Sequence, residues 1–213
     1  MTRTIKNALI STAVLAAIAV VCVGLLTVCN MFFPKYTPVL DAATAKLINS
    51  ICETGKSDSE AYDDGYIVML SESSYAVTLA DYNKANKRTK SEILAVYGEP
   101  KGLNAGAYII ESKATGRDGD IVLLVAYRDG TVVGATVKKQ GESYFGKLPD
   151  DFLSKINDTS GEVDLVGELG KTGATVSLTA INRAVNLSNA FALENSAAIR
   201  KAISDISAGG DAA

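Results

Sequence analysis

Residues 8–33 carry no charged side chain, reading ALISTAVLAAIAVVCVGLLTVCNMFF. As a helix this run would extend roughly 39 Å, more than the roughly 30 Å hydrocarbon core of a bilayer. Arg3 and Lys6 precede it, and Pro34-Lys35 closes it. A secretory signal peptide is the competing reading, but its apolar core usually runs about 7–15 residues and ends at a small-x-small cleavage site. No such site follows here, and Val28 stands where a lipoprotein box would need a small residue before Cys29. An uncleaved single-pass anchor is therefore expected. The basic N-terminus should remain in the cytoplasm, leaving the rest of the chain outside the cell (inner) membrane.

The remainder of the chain must fold outside the bilayer, and its composition removes several chemistries. Histidine is absent, which rules out His-ligated haem, His-bearing zinc sites and Ser-His or Cys-His catalytic pairs. Of 3 cysteines, Cys22 and Cys29 lie in the apolar run and only Cys52 lies beyond it. One cysteine supports neither an internal disulfide nor an iron–sulfur cluster. If the chain carries electrons, an organic cofactor must do so. The net charge of −3, with no basic stripe interleaved with aromatics, excludes nucleic acid as a partner.

The chain beyond the run reads as α+β. Residues 42–52 have helical spacing, with Leu47 and Ile51 on one face. Residues 54–65 are polar and read as a linker, and 66–70 as a strand. The stretch 71–104 matches neither period clearly, and its basic residues between Lys84 and Lys90 read as a solvated face. Residues 107–111, 121–127 and 131–137 are β-rich, and Asp129-Gly130 between the last two is a hairpin signal. The continuously apolar 121–127 predicts a strand covered on both faces, within an antiparallel sheet packed by helices. Residues 138–147 form a polar loop carrying Tyr144 and Phe145, an aromatic pair suited either to the core or to flanking a planar ligand. A short helix over 151–156, a turn over 157–161 and an extended segment over 163–166 come next. Ile199, Ile203 and Ile206 mark a last helix, capped at Asn195 or Ser196.

Between the extended segment and the C-terminal helices lies Gly170-Lys171-Thr172-Gly173-Ala174-Thr175-Val176-Ser177. Leu178, Ile181 and Val185 then recur at helical spacing. Thr172 can cap that helix, with Gly173, Ala174 and Thr175 in its first turn. Backbone N–H groups and the positive end of the helix dipole meet there, which suits an anion such as phosphate, and Lys171 adds a full charge. Taken alone, the same residues also describe an ordinary capped helix after a tight turn.

Three features in order carry a family resemblance. They are the single N-terminal anchor, the loop Gln140-Gly141-Glu142-Ser143 after a hairpin, and Thr172-Gly173-Ala174-Thr175 opening a helix that continues with Ala180-Ile181 and Ala184-Val185. The chain resembles the covalent-FMN subunits of membrane electron-transport complexes: the G component of the Rnf complex and, related to it, the C component of the sodium-pumping NADH:quinone reductase. The short chain is more similar to the Rnf component. The resemblance implies FMN joined through a phosphoester to Thr175 by a separate flavin transferase. It also implies cofactor contacts from Lys171, Thr172, Gly173, Ala174, Glu142, Ser143, Tyr144 and Phe145. The partners it implies are the other membrane subunits of an ion-translocating ferredoxin:NAD oxidoreductase. The corresponding domain plan is a cytoplasmic N-terminus over 1–6, an anchor over 7–33, a membrane-proximal helix and linker over 34–65, an FMN-binding domain over 66–207 and a flexible tail over 208–213. Where the family carries Asp three residues before its Ser/Thr-Gly-Ala-Thr, this chain has Leu169, with Glu168 beside it. A non-redox binding or assembly module on a membrane anchor is the alternative, and a hydrolase lacks any nucleophile-elbow or Ser-x-x-Lys pattern.

Overall fold

The structure, a computed structural model, describes residues 12, 14–16, 18–20, 38–169 and 173–210. The chain divides into two compact units, 1–37 and 38–213. In the first, residues 12, 14–16 and 18–20 are helical and exposed. Residues 1–6, the remainder of the expected anchor and residues 211–213 of the expected tail lie outside the described residues. Among the described residues, no helix is long and apolar enough to cross a membrane.

The second unit is α+β, built on an antiparallel meander in the order β1-β2-β3-β4-β5. The strands are β1 (Val68–Met69), β2 (Ser91–Gly98), β3 (Tyr108–Thr115), β4 (Asp120–Arg128) and β5 (Thr131–Gln140). Strand side chains alternate between faces, and β4 is apolar at both parities. Ile121, Leu123, Val125 and Tyr127 enter one core, while Leu124 and Ala126 enter the other. Both faces are therefore covered, as the unbroken apolar run predicts. Asp129 (φ 51°) and Gly130 (φ 85°) both take the left-handed conformation that a two-residue hairpin turn requires.

Helix α1 (Ala42–Cys52) covers one face. Its cap is Asp41, whose carboxylate accepts the Thr44 N–H, and Ala45, Ile48 and Cys52 point into the sheet. Residues 54–65 are not a plain linker: α2 (Asp58–Asp63) forms there, started by a reciprocal capping box between Ser57 and Glu60. From Pro38 onward these segments belong to the same compact unit as the sheet.

The other face is covered by α3 (Leu79–Ala85), the short α4 (Leu165–Leu169) and the long α5 (Thr175–Gly210). At 36 residues, α5 is about 54 Å long. The helix break expected at Asn195 or Ser196 does not occur. Asn195 is buried, donates to the Phe191 carbonyl within the helix and accepts the Ala76 N–H from another segment at 3.0 Å. With its amide used sideways, and no proline in the segment, nothing stops the helix. The helix also runs through Gly210, into the expected tail. The segment expected as extended over 163–166 turns helical at Leu165, because Asp164 accepts the Gly167 N–H at 2.9 Å and the Asp164 carbonyl accepts from Glu168.

Candidate functional site

The loop after β5 and the start of α5 meet over Glu142. Glu142 is 6% exposed, and its carboxylate uses both oxygens. Oε1 accepts the N–H groups of Asp118 (2.8 Å) and Gly119 (2.9 Å), and Oε2 accepts the Ser177 hydroxyl at 2.7 Å. Burial works to raise its pKa. The Ser177 hydroxyl and the N–H groups of Asp118, Gly119 and Arg117 outweigh burial, so the carboxyl lies below its ordinary range. Glu142 thus ties three elements together: the β3–β4 turn, the loop after β5, and the first turn of α5. The turn is shaped for it, since a side chain on Gly116 would collide with the Glu142 carboxylate.

The long helix begins at Thr175, not in the turn after Thr172. The Leu178 N–H donates to the Ala174 carbonyl at 2.9 Å, which puts Ala174 at the capping position and Thr175 first in the helix. The bond from Ser177 to Glu142 pins the first turn there, while Gly173 and Ala174 form the preceding turn. Lys171 and Thr172 lie outside the described residues.

A cavity of about 130 Å³ opens at this helix end, lined by Arg117, Glu142, Tyr144, Ala174, Thr175 and Val176 among others. Thr175 is half-buried in its wall. Tyr144 is 43% exposed and Val176 is 51% exposed, so an aromatic and an apolar group face solvent at the mouth. Two cations bracket Tyr144: Lys147 Nζ lies 4.6 Å and Arg117 Cζ 5.9 Å from its ring centroid. Lys147 reaches the site across Gly173, where a Cβ would come within 2.6 Å of the lysine Cδ. The ion pair of Arg117 with Asp118, at 3.9 Å between largely exposed groups, binds the arginine only weakly.

Of the residues expected at the site, Glu142, Tyr144, Gly173, Ala174 and Thr175 come together around this cavity. Phe145 turns inward and packs edge-on to Phe152, with centroids 5.8 Å apart. Ser143 is exposed, its N–H donating to Asp118 Oδ2 at 3.2 Å, and does not line the cavity. Leu169 packs against the core and Glu168 is exposed away from the cavity wall. Arg117 and Ser177 also line the cavity, and Lys147 lies beside it over the Tyr144 ring; neither cation was among the expected site residues. Arg117 sits in the Gly116–Gly119 turn, whose flanking glycines were the only trace of its role.

A strap delivers the chain to this site. Asn182, Asn186 and Asn189 share one face of α5. Asn186 both accepts the Val163 N–H (2.8 Å) and donates to the Val163 carbonyl (3.0 Å). Asn182 accepts the Leu165 N–H at 2.9 Å. Asn189 donates to the Gly161 carbonyl at 2.6 Å and accepts the buried Tyr127 hydroxyl at 2.7 Å.

The positive end of a long helix and two cations lie here beside two carboxylates, Glu142, whose oxygens are engaged by donors, and the exposed Asp118. Glu142 is ionised at neutral pH with both oxygens engaged, and among the described residues no other lining side chain is a base near Thr175. Comparison with known protein families and with curated proteins returned no match.

Proposed function

We propose that this chain carries FMN, esterified through its phosphate to Thr175, and serves as an electron-carrying subunit of an Rnf-type, membrane-bound, ion-translocating ferredoxin:NAD oxidoreductase. The observation that carries the reading is the position of Thr175: a hydroxyl-bearing residue at the mouth of a 36-residue helix, in the wall of a cavity that Arg117 also lines. The cavity volume of about 130 Å³ equals roughly four waters at about 30 Å³ each. That accommodates a phosphate group. The ring of an ester at Thr175 would lie outside the cavity, on the side where Tyr144 and Val176 are exposed.

Bound flavin supplies one- and two-electron transfer. The chain's own residues supply the rest. Thr175 provides the oxygen of attachment, and a site without a neighbouring base among the described residues fits modification by a separate transferase rather than by the chain itself. Glu142 fixes the first turn of α5 against the β3–β4 turn, so the hydroxyl and Arg117 keep one geometry. The charge-free run over residues 8–33, with Arg3 and Lys6 ahead of it, supports a single membrane anchor with the α+β unit outside the membrane. An anchored carrier of this kind would work alongside the other membrane subunits of the complex.

The test is expression of the full chain together with a flavin transferase, followed by denaturing electrophoresis and in-gel flavin fluorescence. Wild type is expected to fluoresce and Thr175→Val to be dark. A dark wild type would overturn the redox reading, and a fluorescent Thr175→Val would move the attachment site.

A further inference from the structure

We propose that Arg117 and Lys147 are the phosphate-selecting pair of this site. This rests on the covalent-FMN reading and names residues that neither the sequence motif nor the family resemblance assigns. Three observations carry it. Arg117 lines the same cavity as Thr175. Lys147 passes over Gly173 in the cavity wall, where a Cβ would meet its stem, and so lies at the cavity's edge. Both cations also lie over one aromatic ring, Tyr144, and the one carboxylate that Arg117 meets, Asp118, is in a long, exposed pair.

The acids nearby do not compete strongly for them. Both Glu142 oxygens are taken by Asp118, Gly119 and Ser177, and the Asp118 carboxylate lies 3.9 Å from Arg117 in an exposed pair. Lys147 lies over the Tyr144 ring, and Arg117 is shared between that ring and the exposed Asp118 carboxylate. A hydrogen bond to an ionised group is stronger than the contact of a cation with an exposed aromatic face. A phosphate entering the cavity therefore draws them off the ring and leaves the exposed Tyr144 as a clean aromatic surface. Selectivity between a phosphorylated ligand and its dephosphorylated form comes from these two side chains, and affinity for the rest of the ligand comes from elsewhere.

The experiment uses the full chain in detergent, produced without a transferase. Free FMN and riboflavin are titrated separately, following quenching of flavin fluorescence. FMN carries a charge of about −1.5 to −2 at pH 7, and riboflavin lacks the phosphate. Wild type is expected to bind FMN about tenfold more tightly than riboflavin at low salt, with the ratio falling as salt rises. In Arg117→Gln/Lys147→Gln the ratio should approach one with riboflavin affinity unchanged. Lys147→Arg should retain most of the ratio that Lys147→Gln loses, which a merely structural role for the lysine stem would not produce. An unchanged FMN:riboflavin ratio in the double variant overturns the proposal, as does equal loss of both ligands or failure of wild type to discriminate. These outcomes are separate from attachment. A wild type that fluoresces in the gel yet shows no selectivity sinks only the cation pair, and one that selects FMN but is never esterified sinks only the covalent reading.

Discussion

Removal of the Glu142 carboxylate should unlock the helix end, and the size of the effect follows from its partners. In Glu142→Ala, two backbone N–H groups and the Ser177 hydroxyl lose their acceptor. Each buried group left without a partner costs about 1–3 kcal/mol. Ser177 and Gly119 differ here: the Ser177 side is buried, while the β3–β4 turn is near solvent and rehydrates, so the total should be about 3 kcal/mol. For a domain of this size, that lowers Tm by roughly 6–12 °C. In Glu142→Gln, one amide oxygen still accepts from the turn, and the cost should fall to about 1 kcal/mol. The charge gives a second signature. The folded-state pKa of Glu142 is depressed, so its stabilisation is present above the unfolded value near pH 4.5 and is lost as pH falls through the folded value. The Tm gap between wild type and Glu142→Gln, measured by calorimetry from about pH 7 down to about pH 3.5, should narrow at the acid end. A gap that stays constant across that range would refute the charged, donor-saturated picture of this residue.

Other expectations follow from the same geometry. Asn189→Ala strands the buried Tyr127 hydroxyl and the Gly161 carbonyl, and should cost about 2–3 kcal/mol in urea unfolding with little change in m-value. Glu99 is buried, its Oε2 has no hydrogen-bond partner among the described residues, and burial pushes its carboxyl up to about 7. A raised acid pKa means stability is lost as pH rises from the unfolded value near 4.5 towards 7, so Glu99→Gln should stabilise the protein by about 2 kcal/mol at pH 8 and by much less at pH 4. Burial also pushes the Cys52 thiol up to about 12, so in a Cys22→Ser/Cys29→Ser background the native chain should resist maleimide at about pH 7.5 until denatured. Topology is then readable with Leu103→Cys in a chain lacking the other cysteines, since Leu103 is 79% exposed. Labelling by an impermeant maleimide in intact cells is expected, and labelling only after lysis would put the domain on the cytoplasmic side.

Parts of this fold were legible because one physical demand dominated them. The β4–β5 hairpin announced itself through Asp129-Gly130, and the two-sided burial of β4 through its unbroken apolar run. Strand β2 stayed hidden because its register shifts between Ile93 and Ala95. The shift puts Ile93 and Val96, three residues apart, into the same core and spoils the period-two pattern. Helix α2 had its capping box in view, Ser57 with Glu60, but too few apolar residues to draw attention to it. At the site, Thr175 and Glu142 were legible as motif residues. Arg117 and Lys147 were not, because their role depends on a turn and a loop brought together by Glu142, which no local spacing records.

The strap over residues 161–165 has a consequence for how this chain can change. Its ties are amide groups of Asn182, Asn186 and Asn189 reaching the main chain of Gly161, Val163 and Leu165. Such bonds are blind to the identity of the strapped residues and sensitive only to their count. Glu162 and Val163 should therefore accept wide substitution short of proline, while Leu165 in the core and Asp164 at the start of α4 should not, and a single insertion or deletion should break the ties.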